Sequence, residues 1–167
     1  MPTEYYVDAA LVKAVQDVVT NPQIHELAAL RDHGTTFLVC AVRQTDSDDI
    51  TVARKGPPVV VRKISAADRV FQPDDHYKVY VDMHRWEETN DAQHAAMIHQ
   101  GLLRIDVKTK KDGQVKYGTR PYDIQTYHAN VVRYGPWEET LLRMRDDLNA
   151  AKNRAALLAA DAESVTS

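Results

Sequence analysis

Between Tyr77 and Leu103 the chain changes its hydrophobic period once, and that change limits the folds open to it. Tyr77, Val79, Val81 and Met83 alternate with Lys78, Tyr80 and Asp82, the period of a strand with one buried face. Ala92, Ala95, Ala96, Ile98, Leu102 and Leu103 then recur at helical spacing. They follow Asn90 and Gln93, which have the spacing of a capping box. A half-buried strand leading into an amphipathic helix fits neither an all-helical bundle nor a pure sandwich, so the expectation is an α+β fold.

The rest of the chain extends the pattern. Asp8 is placed to cap a first helix with Leu11, Val12, Val15, Val18 and Val19 on its stripe. Asn21-Pro22 reads as the cap and first residue of a second, shorter helix that carries Ile24, Leu27 and Leu30 and stops at Gly34. The His25-Glu26 pair within it reads as exposed helix surface. Residues 36–42 are almost continuously apolar, as in a strand buried on both faces, and contain Cys40, the single cysteine, read as a small core residue. Asp46-Ser47-Asp48-Asp49 reads as a solvated loop, and Val59-Val60-Val61 as a short strand.

Beyond the central helix, Ile105, Val107 and Thr109 alternate with polar residues and Asp112-Gly113 is a tight-turn signal. Residues 105–119 therefore read as a hairpin with Val115 and Tyr117 on its inner side. Asp123 can cap a helix whose stripe of Ile124, Tyr127, His128, Val131 and Val132 would turn His128 towards the core or a cleft. Gly135 ends that helix. Pro136-Trp137 starts a long last one with Leu141, Leu142, Met144, Leu148, Leu157 and Leu158. The expected architecture is a single domain over residues 1–150, followed by an Ala-rich helix end and polar tail over residues 151–167. Within that domain a small mixed or antiparallel sheet packs against the central helix capped at Asn90, with a β-hairpin and a long C-terminal helix.

Charge and hydropathy narrow the function classes. A net charge of −3 over 167 residues argues neither for general nucleic-acid binding nor for an acidic tail. No apolar run reaches membrane-spanning length, and the first residues lack the basic-then-apolar order of a signal peptide. The expectation is a cytoplasmic protein with no membrane partner.

The chemistry concentrates at His99. Zinc peptidases hold their metal with H-E-x-x-H, two histidines one helical turn apart with a glutamate as general base. Here the five residues starting at His99 are His99, Gln100, Gly101, Leu102 and Leu103. An amide stands at the base's place and an aliphatic chain at the second ligand's. His94 lies about 140° round the helix from His99 and cannot share a metal with it from one face. Gly101 in mid-helix is read as a mark of close approach by another backbone.

Three stretches together resemble the putative phage metallopeptidase domain family, zincin-like proteins of phages and prophages. They are Val59-Val60-Val61-Arg62-Lys63-Ile64-Ser65 with Tyr77-Lys78-Val79-Tyr80-Val81; Trp86 followed by Ala95-Ala96-Met97-Ile98-His99; and Tyr122-Asp123-Ile124-Gln125-Thr126-Tyr127 running on to Val132-Arg133-Tyr134-Gly135-Pro136-Trp137. The resemblance implies a zincin-like fold. It also implies, in active members, histidine ligands at positions 99 and 103, a glutamate base at 100, and a further ligand from a His-Asp pair at 122–123. This chain has His99, Gln100, Leu103, Tyr122 and Asp123 at those positions, a vestigial set that leaves no catalytic or metal-binding residues to assign.

The function this implies is a phage-encoded, catalytically inactive metallopeptidase-like protein. It would need no cofactor and would act as a binding module towards a host protein. Two other readings stand beside it. One is an active zinc enzyme with rearranged ligands drawn from His94, His84, His76 or His128. The other is nucleic-acid binding through the basic hairpin, whose candidate partner-binding residues are Arg104, Lys108, Lys110, Lys111, Lys116, Tyr117 and Arg120. The competing explanation of the same basic patch is a solubilised hairpin surface whose edge lysines prevent strand pairing.

Overall fold

The computed structural model describes residues 2–48, 50–121 and 124–165. Asp49, Tyr122 and Asp123 lie outside the described residues, and so do the side chains of Ile124, Tyr127, Leu157 and Leu158. The chain begins with β1 (Thr3–Tyr6), a strand that its mixed polarity did not announce, and continues into α1 (Ala9–Thr20). Asp8 caps α1 as expected, its carboxylate accepting from Ala10 N at 2.8 Å and Leu11 N at 3.1 Å. The expected helix start at Asn21-Pro22 is not formed. Asn21 Oδ1 instead accepts from Gln23 N at 3.0 Å, closing a turn. A 3₁₀ turn at His25–Leu27 then leads into the short α2 (Ala28–Asp32), which ends at Gly34 with φ of 57°.

Then follow β2 (Phe37–Thr45), β3 (Thr51–Val52), β4 (Val59–Lys63) and β5 (Tyr77–Asp82). Asp46 Oδ1 organises the β2–β3 turn by accepting from the amides of Asp48 and Ile50, both at 2.9 Å. The helix expected behind the Asn90–Gln93 box is α4 (Asp91–Leu102), and a short α3 (Met83–Glu87) that the sequence did not announce precedes it. Asp82 caps α3 by accepting from His84 N at 3.1 Å, so Met83 begins a helix rather than ending a strand. The hairpin of β6 (Ile105–Thr109) and β7 (Val115–Thr119) matches the sequence reading, as do α5 (Ile124–Tyr134) and the long α6 (Glu139–Val165). Trp137, expected to open that last helix, precedes it and is buried.

The sheet is mixed, ordered β1-β2-β5-β4 with β3 appended to β2; β2 and β5 are parallel and the other pairs antiparallel. Register sorts the side chains into two faces. Val39 pairs with Val79, which pairs with Val61, and Ala41 pairs with Val81, which pairs with Val59. These residues join Leu11, Val15, Val18, Ala96 and Ile98 in one core, so α1 and α4 cover this face. The alternate residues form the other face: Leu38 beside Lys78 and Arg62, Cys40 beside Tyr80 and Val60. Leu38, Cys40, Tyr80 and Val60 are only partly buried. β2 is therefore buried on one face, not both, and Cys40 lies on the half-open side. Burial there raises its thiol pKa.

The hairpin attaches to the end of the sheet through aromatics. Tyr77 Oη donates to Gly118 O at 2.7 Å, and Tyr117 stacks on His76 with ring centroids 4.0 Å apart. Among the described residues no helix is long and apolar enough to cross a membrane.

Candidate functional site

α4 is fixed at both ends before any chemistry is considered. At its start the capping box forms as expected: Gln93 N donates to Asn90 Oδ1 and Asn90 N to Gln93 Oε1, both at 3.0 Å. The Gln93 amide also donates to Trp137 O at 3.0 Å. Trp86 from α3 lies flat on His94, with centroids 3.6 Å apart and planes 4° apart, and the His94 ring bonds Trp86 O at 2.8 Å. Further along, a Cβ on Gly101 would collide with Val59 Cγ1 and stand 3.5 Å from Val59 O. The glycine therefore does mark a close approach, of β4 to α4.

Asn130 of α5 completes the clamp. It is wholly buried, donates to Ala96 O at 3.0 Å and accepts from the Trp137 indole N–H at 2.6 Å. These bonds decide which face of α5 looks inward, and of the two places expected for His128 they exclude the core and leave an open cleft that it lines with Glu26, Val132 and Arg133. His128 and Val132 are exposed, while Asn130 is buried and Tyr134 half-buried. A helix that turns residue 130 inward carries residue 128 about 200° round, to the opposite face.

His99, at the centre of this arrangement, has no exposed surface. Among the described residues neither of its ring nitrogens has a hydrogen-bond partner. Its ring meets Tyr134 edge-on, centroids 5.5 Å apart at 68°. Burial drives its pKa from 6.5 down to about 4, with Glu26 pulling it back up and Arg133 pushing it further down. Glu26 and Arg133 form an ion pair at 3.4 Å, and Arg133 also donates to Gln23 O at 2.9 Å. Burial alone would raise the Glu26 carboxyl, but its own backbone amide, Arg133 and His99 hold it below the ordinary value. Burial raises the Tyr134 phenol. The sequence reading had set Glu26 aside as exposed surface. Nothing local in His25-Glu26 signals that the turn after α1 brings this carboxylate to α4.

The vestigial positions divide as follows. His99 is sealed, and Gln100 Oε1 is buried without a hydrogen-bond partner among the described residues. Leu103, the C-cap of α4, is 2% exposed and part of the core. Tyr122 and Asp123 lie outside the described residues. The donor set on α4 does not fit zinc: it offers one imidazole, a core leucine stands at the second ligand's position, and an amide cannot take a proton from bound water. Among the described residues no three His, Cys, Asp or Glu side chains are grouped to hold a metal.

Three of the four histidines of the rearranged alternative have partners of their own, and His128 is exposed on α5. His76 accepts from Thr36 N at 3.1 Å, His84 faces Glu88 at 3.5 Å, and His94 is held by Trp86. The hairpin cations are likewise partly committed. Arg120 Nε donates to Leu103 O at 2.8 Å, Arg104 Nε to Arg120 O at 3.3 Å, and Lys108 pairs with Asp106 at 2.8 Å. Lys110, Lys111 and Lys116 are exposed, and Tyr117 is half-buried against His76.

A family model described as putative phage metallopeptidase matches residues 3–150. No curated protein and no solved structure matches the chain.

Proposed function

The chain belongs to the putative phage metallopeptidase family, and from that premise we propose that it is a member that binds without hydrolysing. The observation that carries this reading is the state of α4. Its one histidine at a ligand position has no solvent-accessible surface, and position 103 is a core leucine. A hydrolytic zinc needs about three protein ligands and an open position for water, and this helix supplies neither the second ligand nor the opening.

The supporting framework is meanwhile kept. The capping box, the Trp86–His94 stack and the Asn130–Trp137 bond all hold α4 in place. β4, antiparallel to β5, ends the sheet beside α4, an arrangement suited to an extended peptide that adds by strand pairing. The partner in this reading is a host protein met in the host cytoplasm, and no cofactor takes part.

The test combines metal analysis with a cleavage assay on the purified protein. The expected result is substoichiometric zinc and no chelator-sensitive cleavage of unfolded polypeptide substrates. Chelator-sensitive cleavage that disappears in His99→Ala would overturn the proposal. Affinity purification from the host then identifies what is bound, and a discrete host protein retained at stoichiometric level is the expected finding.

A further inference from the structure

The face of the sheet turned away from α1 and α4 holds a groove of about 440 Å³. Its lining comes from all four main strands and from the connection between β3 and β4. The floor is Leu38, Cys40 and Val60, and the aromatic centre is Tyr80 with Tyr5 beside it. Tyr5 meets Tyr80 edge-on, centroids 6.0 Å apart at 77°, and is 59% exposed.

Charge is placed at the two ends. Arg62 and Lys78 pair across β4 and β5 at one end, and Arg54 and Lys55 enter from the connection at the other. Among the described residues no lining residue is acidic, although the chain as a whole carries a net charge of −3. Asp68 reaches Lys78 from the side at 3.1 Å. The Arg62 guanidinium lies 6.0 Å from the Tyr80 ring centre, within cation–π range. Four cations thus flank one exposed ring and one half-buried ring on an otherwise acidic molecule.

We propose that this open face binds single-stranded nucleic acid, with bases stacked on Tyr5 and Tyr80 and phosphates on Arg54, Lys55, Arg62 and Lys78. The two chemistries must be satisfied together, which selects the occupant. A phosphorylated peptide would use the cations and leave the rings idle. A duplex would hide its base faces, whereas an unpaired strand offers a base face and a phosphate at every step. A sheet that presents aromatics to splayed bases is an established way to read single strands. The surface is separate from the hairpin and from α4, so zinc or peptidase activity in the purified protein would leave this inference standing.

The test is fluorescence anisotropy of the full chain with labelled oligothymidylate and oligouridylate. Saturable binding at low salt is expected, with a log–log salt slope of about −2 to −3 from three or four released counterions. Arg62→Glu, at an exposed position, should weaken binding about tenfold or more. Tyr80→Ala should weaken it about 5- to 150-fold, and Tyr80→Phe should restore it because the ring is what stacks. Lys108→Glu with Lys116→Glu should leave affinity unchanged. The proposal fails if the unmodified protein binds no single strand at low salt, or if a matching duplex binds as tightly. It fails equally if the hairpin reversals abolish binding while Arg62→Glu does not. Thymidine monophosphate competing at the same concentration as the oligonucleotide would also overturn it, making the groove a mononucleotide site.

Discussion

The His99 ring stands edge-on to Tyr134, 5.5 Å between centroids, with no exposed surface and with neither ring nitrogen bonded among the described residues. A neutral imidazole tolerates that setting and a protonated one does not. Below pH 6.5 the unfolded chain takes up a proton at this position, while the folded chain resists until about pH 4. Stability is therefore lost as pH falls through that window and is fully present above it, with a depression from 6.5 to about 4 worth roughly 3 kcal/mol. His99→Leu should flatten this dependence and raise stability at pH 5. Urea midpoints at pH 7 and pH 5 for both proteins decide it, and an unchanged slope in the variant would refute the assignment.

Gly101→Ala should destabilise the fold although alanine is the better helix former. The added methyl collides with Val59, whose branched Cβ leaves it little room to turn aside. Overpacking of this kind costs about 1–3 kcal/mol, against a helix-propensity gain of about 1 kcal/mol. Pairing the change with Val59→Ala should make the two costs less than additive, as a double-mutant cycle in denaturant would measure.

Asn130→Ala removes two bonds at once and strands Ala96 O and the Trp137 indole N–H in a buried site. Each orphaned group costs about 1–3 kcal/mol, so a loss of about 2–6 kcal/mol is expected. Thermal and chemical unfolding would show it, and a loss below about 1 kcal/mol would mean that water replaces the amide.

Rebuilding the family's metal site should require more than α4. Leu103→His with Gln100→Glu is expected to leave zinc binding unrestored, because a catalytic zinc takes about three protein ligands. Adding Tyr122→His should recover zinc affinity, measured by calorimetry. A correctly folded triple variant that binds no zinc would count against the ligand positions carried over from the family.

What the sequence made legible was local. Asp8, the Asn90–Gln93 box and the Asp112-Gly113 turn each close a hydrogen bond within a few residues, so their side-chain chemistry announces them. β1 and β3 depend on pairing with a distant β2 rather than on their own composition. Asn21 was misread because the same side-chain oxygen can cap a helix or close a turn. On α5, Asn130 rather than His128 takes the innermost place, and His128 is left at the cleft. Hydrophobic periodicity cannot see a hydrogen bond. At the site, the substitutions at positions 100 and 103 were plain, but the approach of Glu26 and Arg133 to His99 depends on tertiary packing alone.

The chain has only two tryptophans, and both sit on seams of α4: Trp86 over His94, and Trp137 through Asn130 to Ala96. Intrinsic emission is thus a built-in gauge of how firmly that one helix is seated, while circular dichroism averages over the whole backbone. A divergence between the two signals during unfolding would reveal α4 leaving its berth before the strands come apart.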